Sequence, residues 1–163
     1  MKVKSYAVAL IVLLVIFGSV AVTSYLGQWK TTTDKVPAKY TQGEASGEYN
    51  PADIRGSYTF TQIEDAFGIP LEELGVAFGV KDPSKYATFQ VKELETIYAP
   101  LAASGKEVGT DSVRIFVALY KGLPITLTET TYLPRPAADI LKAKATLNQE
   151  QQEFIDKHTV DIP

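Results

Sequence analysis

The 163-residue chain has no cysteine and only one residue each of histidine, methionine and tryptophan. Without cysteine there are no disulfides, thiolate metal sites, cysteine-ligated iron–sulfur clusters or covalently attached haem of the c type. Any folded part therefore stands on its own packing. A single histidine leaves no H-x-x-x-H pair, and no D-x-D-x-D-G calcium loop is present. A glycine-rich phosphate loop is missing too, because Gly75 and Gly79 fall within or at the end of a helical pattern. No catalytic residue, metal ligand or cofactor-binding residue is assigned. Basic clusters are also scarce. Setting aside Lys2, Lys4 and Lys30, residues 31–163 hold 13 basic against 19 acidic residues, a net charge of −6. That balance argues against nucleic acid or an anionic lipid headgroup as main partner, since both reward clustered Lys and Arg.

What the chain does have is one long apolar run. Between Met1-Lys2-Val3-Lys4 and Gly27-Gln28-Trp29-Lys30, residues Ser5 to Leu26 carry no charge. As helix this segment would span roughly 33 Å, the thickness of a bilayer's hydrocarbon core. Tyr6 at one end and Tyr25 and Trp29 at the other sit where amphipathic rings favour the headgroup level. Residues 1–30 are read as a single-pass membrane anchor, with the N-terminus cytoplasmic and the C-terminal domain outside. The competing reading is a cleaved secretory signal, with Lys2 and Lys4 as its basic start, Ala7 to Phe17 as its apolar stretch and Ser19-Val20-Ala21 as its cleavage site. Both readings export the remainder. A pilin-like filament subunit is a further alternative, weakened by the lack of an early glutamate in the run and of a glycine cleavage motif before it.

Residues 31–53 are polar, rich in Gly, Ser and Thr, and without hydrophobic period, which predicts a flexible linker. The expected domain, residues 54–158, is mostly α and built of two or three helix-turn-helix hairpins, with 159–163 a frayed tail. In Ile54 to Val80, Thr59 and Gln62 have capping-box spacing, Phe60, Ile63 and Phe67 share a face, and Gly68 can end the helix. Pro70 opens a second helix with Glu72 and Glu73 in its first turn and Leu71, Leu74 and Phe78 on one face, and Gly79 stops it. Val91, Leu94 and Tyr98 repeat the Phe60, Ile63, Phe67 spacing and predict a second, looser hairpin whose first helix ends near Ala99-Pro100 and whose second follows a loop through Ser104-Gly105 and Gly109. A helix from an N-cap at Thr110 to Gly122 is apolar on most of its circumference and should be the most buried element; Arg114 is the charge in its middle turns, and is not idle if that helix is surrounded. A third pair runs from Pro136 to Lys144 and from Thr146 or Asn148 to His158. Ile125 to Leu133 alternates like a strand without an obvious partner and is read as an extended connection.

The helix-turn-helix cadence does not make a DNA reader. The second helix begins Pro70-Leu71-Glu72-Glu73, sets carboxylates against phosphate, and offers no Arg, Lys, Asn or Gln for base edges. His158 has no Ser–Asp partner identifiable by spacing and reads as a helix-end cap. Glu72-Glu73 and Glu93-x-Glu95 read as solvated charge.

The stretch IRGSYTFTQIEDAFGIPLEELGVAFGV, with Ile54-Arg55-Gly56-Ser57-Tyr58-Thr59 and Phe67-Gly68-Ile69-Pro70 as its specific core, resembles a helical-hairpin module on the soluble tail of 4Fe-4S membrane proteins of the periplasmic nitrate reductase quinol-oxidising type. The cluster ligands of that family are absent here, so what the resemblance implies is company: an accessory module docked beside a membrane redox (iron–sulfur) complex. The expected function is thus a non-enzymatic, membrane-anchored extracytoplasmic interaction module, with Arg55, Tyr58, Gly68, Ile69 and Pro70 as its partner surface and the lipid bilayer as its other contact. The alternative is an exported cell-wall-binding domain or enzyme in which Tyr86, Glu93, Glu95, Tyr132 and His158 converge in one cleft.

Overall fold

A computed structural model describes residues 35–162, together with 6, 12–15 and 17–19. The chain divides into two units, residues 1–34 and 35–163. In the first unit the described residues are helical, and Tyr6, Val12, Leu13, Leu14, Val15 and Phe17 are exposed. No helix among the described residues is long and apolar enough to cross a membrane. The run 5–26 is described only in part, and Tyr25, Trp29 and the cleavage site at Ala21 lie outside the described residues.

The second unit is mostly helical and opens with structure where a linker was expected. Lys39 and Tyr49 form an antiparallel bridge, with Tyr40 N–H donating to Glu48 O at 2.9 Å and Asn50 N–H to Ala38 O at 2.7 Å. Gly43 (φ 79°) and Gly47 (φ 92°) supply the left-handed turn residues. The Tyr49 ring meets Phe67 edge-on at 6.2 Å, and Lys39 Nζ lies 4.7 Å from the other partner of the bridge, the Tyr49 ring centroid. Residues 35–53 are therefore a hairpin on the domain. Main-chain bonds and tyrosine contacts hold it, and neither leaves an apolar period in the sequence.

Helix α1 (Phe60–Phe67) starts on the expected capping box: Thr59 Oγ1 accepts from Gln62 N–H while Gln62 Oε1 accepts from Thr59 N–H. It ends at Gly68 with φ 68°. Helix α2 (Leu71–Ala77) follows, with Pro70 as its N-cap and a stop at Gly79, φ 68°. Residues 56–60 run antiparallel to 89–92 through Phe60 N–H to Phe89 O, Val91 N–H to Tyr58 O and Lys92 N–H to Gly56 O.

The first helix of the expected second hairpin is broken, while its second, Thr110 to Lys121, is present. Pro83–Thr88 and Val91–Glu93 are 3₁₀ turns, and α3 (Leu94–Ile97) and α4 (Ala99–Ala102) are single turns. Pro100 has no N–H for the Thr96 carbonyl, and its ring crowds that carbonyl, so one helix cannot run through. Val91, Leu94 and Tyr98 are nonetheless buried as Phe60, Ile63 and Phe67 are.

Helix α5 (Thr110–Lys121) is the central element, with Val113, Phe116, Val117 and Ala118 fully buried. Its N-cap is Gly109 rather than Thr110, because Ser112 Oγ accepts from Gly109 N–H at 3.1 Å and donates to Tyr132 O at 2.7 Å. Phe116 sits 5.5 Å from Phe78, which sits 6.1 Å from Phe60. Each such ring contributes about 1.5–3 kcal/mol by burial. Helices α6 (Arg135–Lys144) and α7 (Gln149–Lys157, capped by Asn148 and Gln151) form the third pair as expected. The tail differs from expectation: β1 (Leu133–Pro134) pairs in parallel with β2 (Thr159–Val160), Val160 is buried, and Arg135 bonds Asp161. Burial of Val160 and this ion pair hold the tail that the sequence marked as frayed.

Candidate functional site

The five residues of the expected partner surface separate. Arg55 is exposed and pairs with Asp53 at 3.5 Å, Gly68 and Pro70 are exposed, but Tyr58 and Ile69 belong to the core. Burial, with the charge of Asp53, pushes the Tyr58 phenol up, and Arg55 partly offsets this. Tyr58 faces inward because its main chain is tied to Val91; Ile69 does so because the turn between α1 and α2 needs an apolar plug. A partner can touch only Arg55, Gly68 and Pro70 of this set.

The alternative set does not converge in one cleft either. Tyr86 lies flat over Gly75, where a Cβ would come within 2.3 Å of its ring. Glu93 accepts from Gln90 N–H at 2.7 Å and borders one depression, while Glu95 borders another. Only Tyr132 and His158 meet, with ring centroids 5.1 Å apart. His158 is buried at the end of α7, stacked 4.3 Å from Phe154, with Nδ1 3.0 Å from Phe154 O and Nε2 3.1 Å from Glu129 O. It fastens the connection between α5 and α6 to the last helix. Among the described residues, no group of three or more His, Asp or Glu side chains is placed to hold a metal ion.

The arrangement that does bring polar groups together is a cleft of about 460 Å³ in which the hairpin 35–53, the start of α5 and residues 124–128 meet. Tyr40 and Asn50 form one wall, Asp111, Arg114 and Ile115 come from α5, and Pro124, Ile125, Thr126 and Thr128 form the other wall. The frame is tied at three points. Tyr40 Oη donates to Pro124 O at 2.7 Å, bridging the walls. Ala38 N–H donates to Asp53 Oδ2 at 2.8 Å, closing the hairpin. Arg114 Nε donates to Ile54 O at 2.8 Å and Nη1 to Asp111 Oδ1 at 2.6 Å, which fixes the guanidinium. Arg114, singled out in the sequence, thus braces the domain's entry strand and borders the cleft at the same time.

The cleft's charges cancel in the Arg114–Asp111 pair, and no other charged residue lines it. Asn50 Oδ1 is taken by Ala52 N–H at 2.9 Å, leaving its amide donors free for a ligand. The wall 123–128 is unusual in its backbone. Leu123, Ile125 and Leu127 pack against the core while Pro124, Thr126 and Thr128 are exposed, the two-residue alternation of a strand. Yet among the described residues the N–H and C=O groups of Ile125, Thr126 and Leu127 have no protein partner. Tyr40, Asn50 and Asp111 were missed in the sequence because two of them lie in the supposed linker. The Tyr40/Tyr49 pair around Gly43 and Gly47, and Asn50-Pro51 as a cap, were the available signals.

A second polar cluster ties α2 to α6 away from the cleft. Glu73 accepts from Tyr120 Oη at 2.9 Å and from Lys144 Nζ. Burial raises the Glu73 carboxyl, but the Lys144 and Tyr120 bonds outweigh it and hold the group below its ordinary value. Tyr98 is pushed up to about 12 by burial, its hydroxyl donating to Phe78 O at 3.0 Å. No protein-family model, curated protein or solved structure gives a significant match to this chain.

Proposed function

We propose that the chain is a membrane-anchored extracytoplasmic interaction module, with residues 1–30 as its anchor and residues 35–162 as its binding domain. The observation that carries this reading is the exposure of Val12, Leu13, Leu14 and Val15 at 50–65%. Consecutive helical residues point about 100° apart, so four of them cover the helix circumference. A helical surface that is apolar all round and uncovered is stable in hydrocarbon and not in water. The resemblance of residues 54–80 to a tail module of membrane iron–sulfur proteins supports a membrane redox complex as the neighbour, with the domain outside and N-terminus in the cytoplasm. Non-enzymatic binding is favoured by a cleft whose two charged residues, Arg114 and Asp111, neutralise each other.

Alkaline carbonate washing of membranes, with intact mass of the extracted chain, tests the reading. The expected result is a chain retaining residues 1–21 that stays with the membrane until detergent is added, while a variant lacking residues 2–30 is soluble. Recovery of the uncut chain in the soluble fraction would overturn the anchor, and a mature chain starting after Ala21 would make the protein a secreted one.

A further inference from the structure

We infer that the cleft beside Arg114 binds an extended, uncharged peptide segment of the partner protein, which adds as a strand along Ile125–Thr128, whose main-chain groups are free among the described residues but for the Thr128 carbonyl, bonded by Thr131 N–H at 3.0 Å. The inference rests on the reading of this chain as an interaction module and names the partner chemistry, but it does not depend on the anchor.

Three features specify the ligand. First, the wall's main chain is unpaired from Ile125 to Leu127 among the described residues. Its side chains alternate between core and solvent, but the N–H and C=O groups of Ile125, Thr126 and Leu127 bond to no described residue. Exposed edges are normally blunted by Lys, Pro, a bulge or a covering segment. Here Pro124 and Glu129 flank the edge, and the residues between are Ile-Thr-Leu-Thr, β-branched at three of four positions. Strand addition recognises such an edge through main-chain bonds.

Second, the opposite wall offers matched donors and acceptors rather than net charge. Arg114 keeps Nη2 free of protein partners, Asp111 keeps Oδ2, and Asn50 keeps its amide nitrogen. A peptide backbone alternates donors and acceptors in the same way and carries no charge. An acidic segment would face Asp111 and a basic one Arg114, each uncompensated once the pair is bridged.

Third, the opening is rigid and sized for a chain. The Tyr40–Pro124 bond fixes the spacing of the walls, and about 460 Å³ falls within the range of preformed binding clefts, roughly 300–1,000 Å³. The edge of four residues spans about 13 Å, enough for a peptide of similar length in β register.

The test uses the full-length chain in detergent micelles and a phage-displayed library of random linear peptides, from which the enriched sequence is synthesised as the probe. Expected are slowed hydrogen exchange of the Thr126 amide on peptide binding, with little change at Ile125 and Leu127, whose main-chain groups point to the opposite edge, and at least about tenfold weaker binding by Thr126→Pro, which deletes the central N–H. Thr126→Ala, which keeps it, should bind within about twofold, as should the remote Glu150→Ala. Should Thr126→Pro not fold, replacing the probe's own main-chain N–H groups by N-methyl groups one at a time supplies the same comparison, with at least about tenfold weaker binding expected at the position that bonds Thr126. Equal losses in Thr126→Pro and Thr126→Ala would overturn main-chain recognition, as would peptide binding that leaves the Thr126 amide unprotected. Protection that rises with protein concentration alone would mean that a second copy of this chain occupies the edge, and would also overturn the proposal. Peptide binding and membrane retention are read separately, so failure of one does not mimic failure of the other.

Discussion

The hairpin of α1 and α2 and the wall at residues 123–128 treat their main chain in opposite ways. In the hairpin both ends are closed: Thr59 and Gln62 cap the entry, and Gly68 and Gly79 turn the chain in left-handed conformations. In the wall, Leu123, Ile125 and Leu127 are seated against the core, but the main-chain groups of Ile125, Thr126 and Leu127 have no partner among the described residues. Side-chain burial and backbone pairing are therefore separable here. A scaffold that stores its stability in α1, α2 and α5 can hold a strand edge open, which is how loops on rigid supports come to carry binding.

That contrast can be sharpened by substitution. Phe116→Ala removes the ring on which Phe78 and Tyr120 pack and should cost about 3–5 kcal/mol in denaturant unfolding. Loss of that size would melt scaffold and cleft together. Gly79→Ala is next, since it forces φ 68° on a residue with a Cβ, at about 1–2 kcal/mol. Its Cβ would also come within 2.8 Å of Ile162 Cδ1, whereas the same change at Gly68, also at φ 68°, meets open space. The difference between the two unfolding free energies therefore measures how firmly Ile162 and the Tyr98 hydroxyl, 3.1 Å from the same Cβ, are seated together.

Tyr40→Phe breaks the bond that spans the cleft and should cost about 0.5–1.5 kcal/mol. Its signature is local: amide exchange in residues 38–50 should quicken while that of α5 is unchanged. The smallest effect is electrostatic. Glu73 is held below its ordinary value of 4.5 by Lys144 and Tyr120, so its contribution is present at neutral pH and lost as pH falls through its folded value. Thermal unfolding of the parent and of Glu73→Gln should differ most near pH 7 and converge in acid.

Much of the scaffold could be read from the residues because its signals are local. A cap three residues before its partner, a glycine after the last apolar position and a 3.6-residue period located α1, α2, α5 and α7 to within a few residues. The single helix expected before Pro100 failed because the spacing of Val91, Leu94 and Tyr98 reports which side chains are buried, and a 3₁₀ turn followed by one α turn buries the same three. The candidate site was nearly invisible. Tyr40 and Pro124 are 84 residues apart, and their bond has no local pattern. Arg114 stood out as a charge in an apolar helix, but Ile54 O, which its Nε bonds, is a main-chain group that no sequence pattern marks. Tyr58 and Ile69 were misplaced to the surface for the same reason. An aromatic or apolar residue beside a turn looks available until the strand or plug that covers it is known.

The central claim, that a rigid helical scaffold holds an unpaired strand edge open for a partner, is tested most directly by residue-resolved amide hydrogen exchange of the free protein. The amides of Ile125, Thr126 and Leu127 should exchange at nearly the rate of an unstructured chain, while those of Ile115 to Leu119 in α5 should be protected up to the stability of the whole domain. Protection of 125–127 equal to that of α5 in the free, monomeric protein would mean that the edge already has its partner, and would contradict the claim.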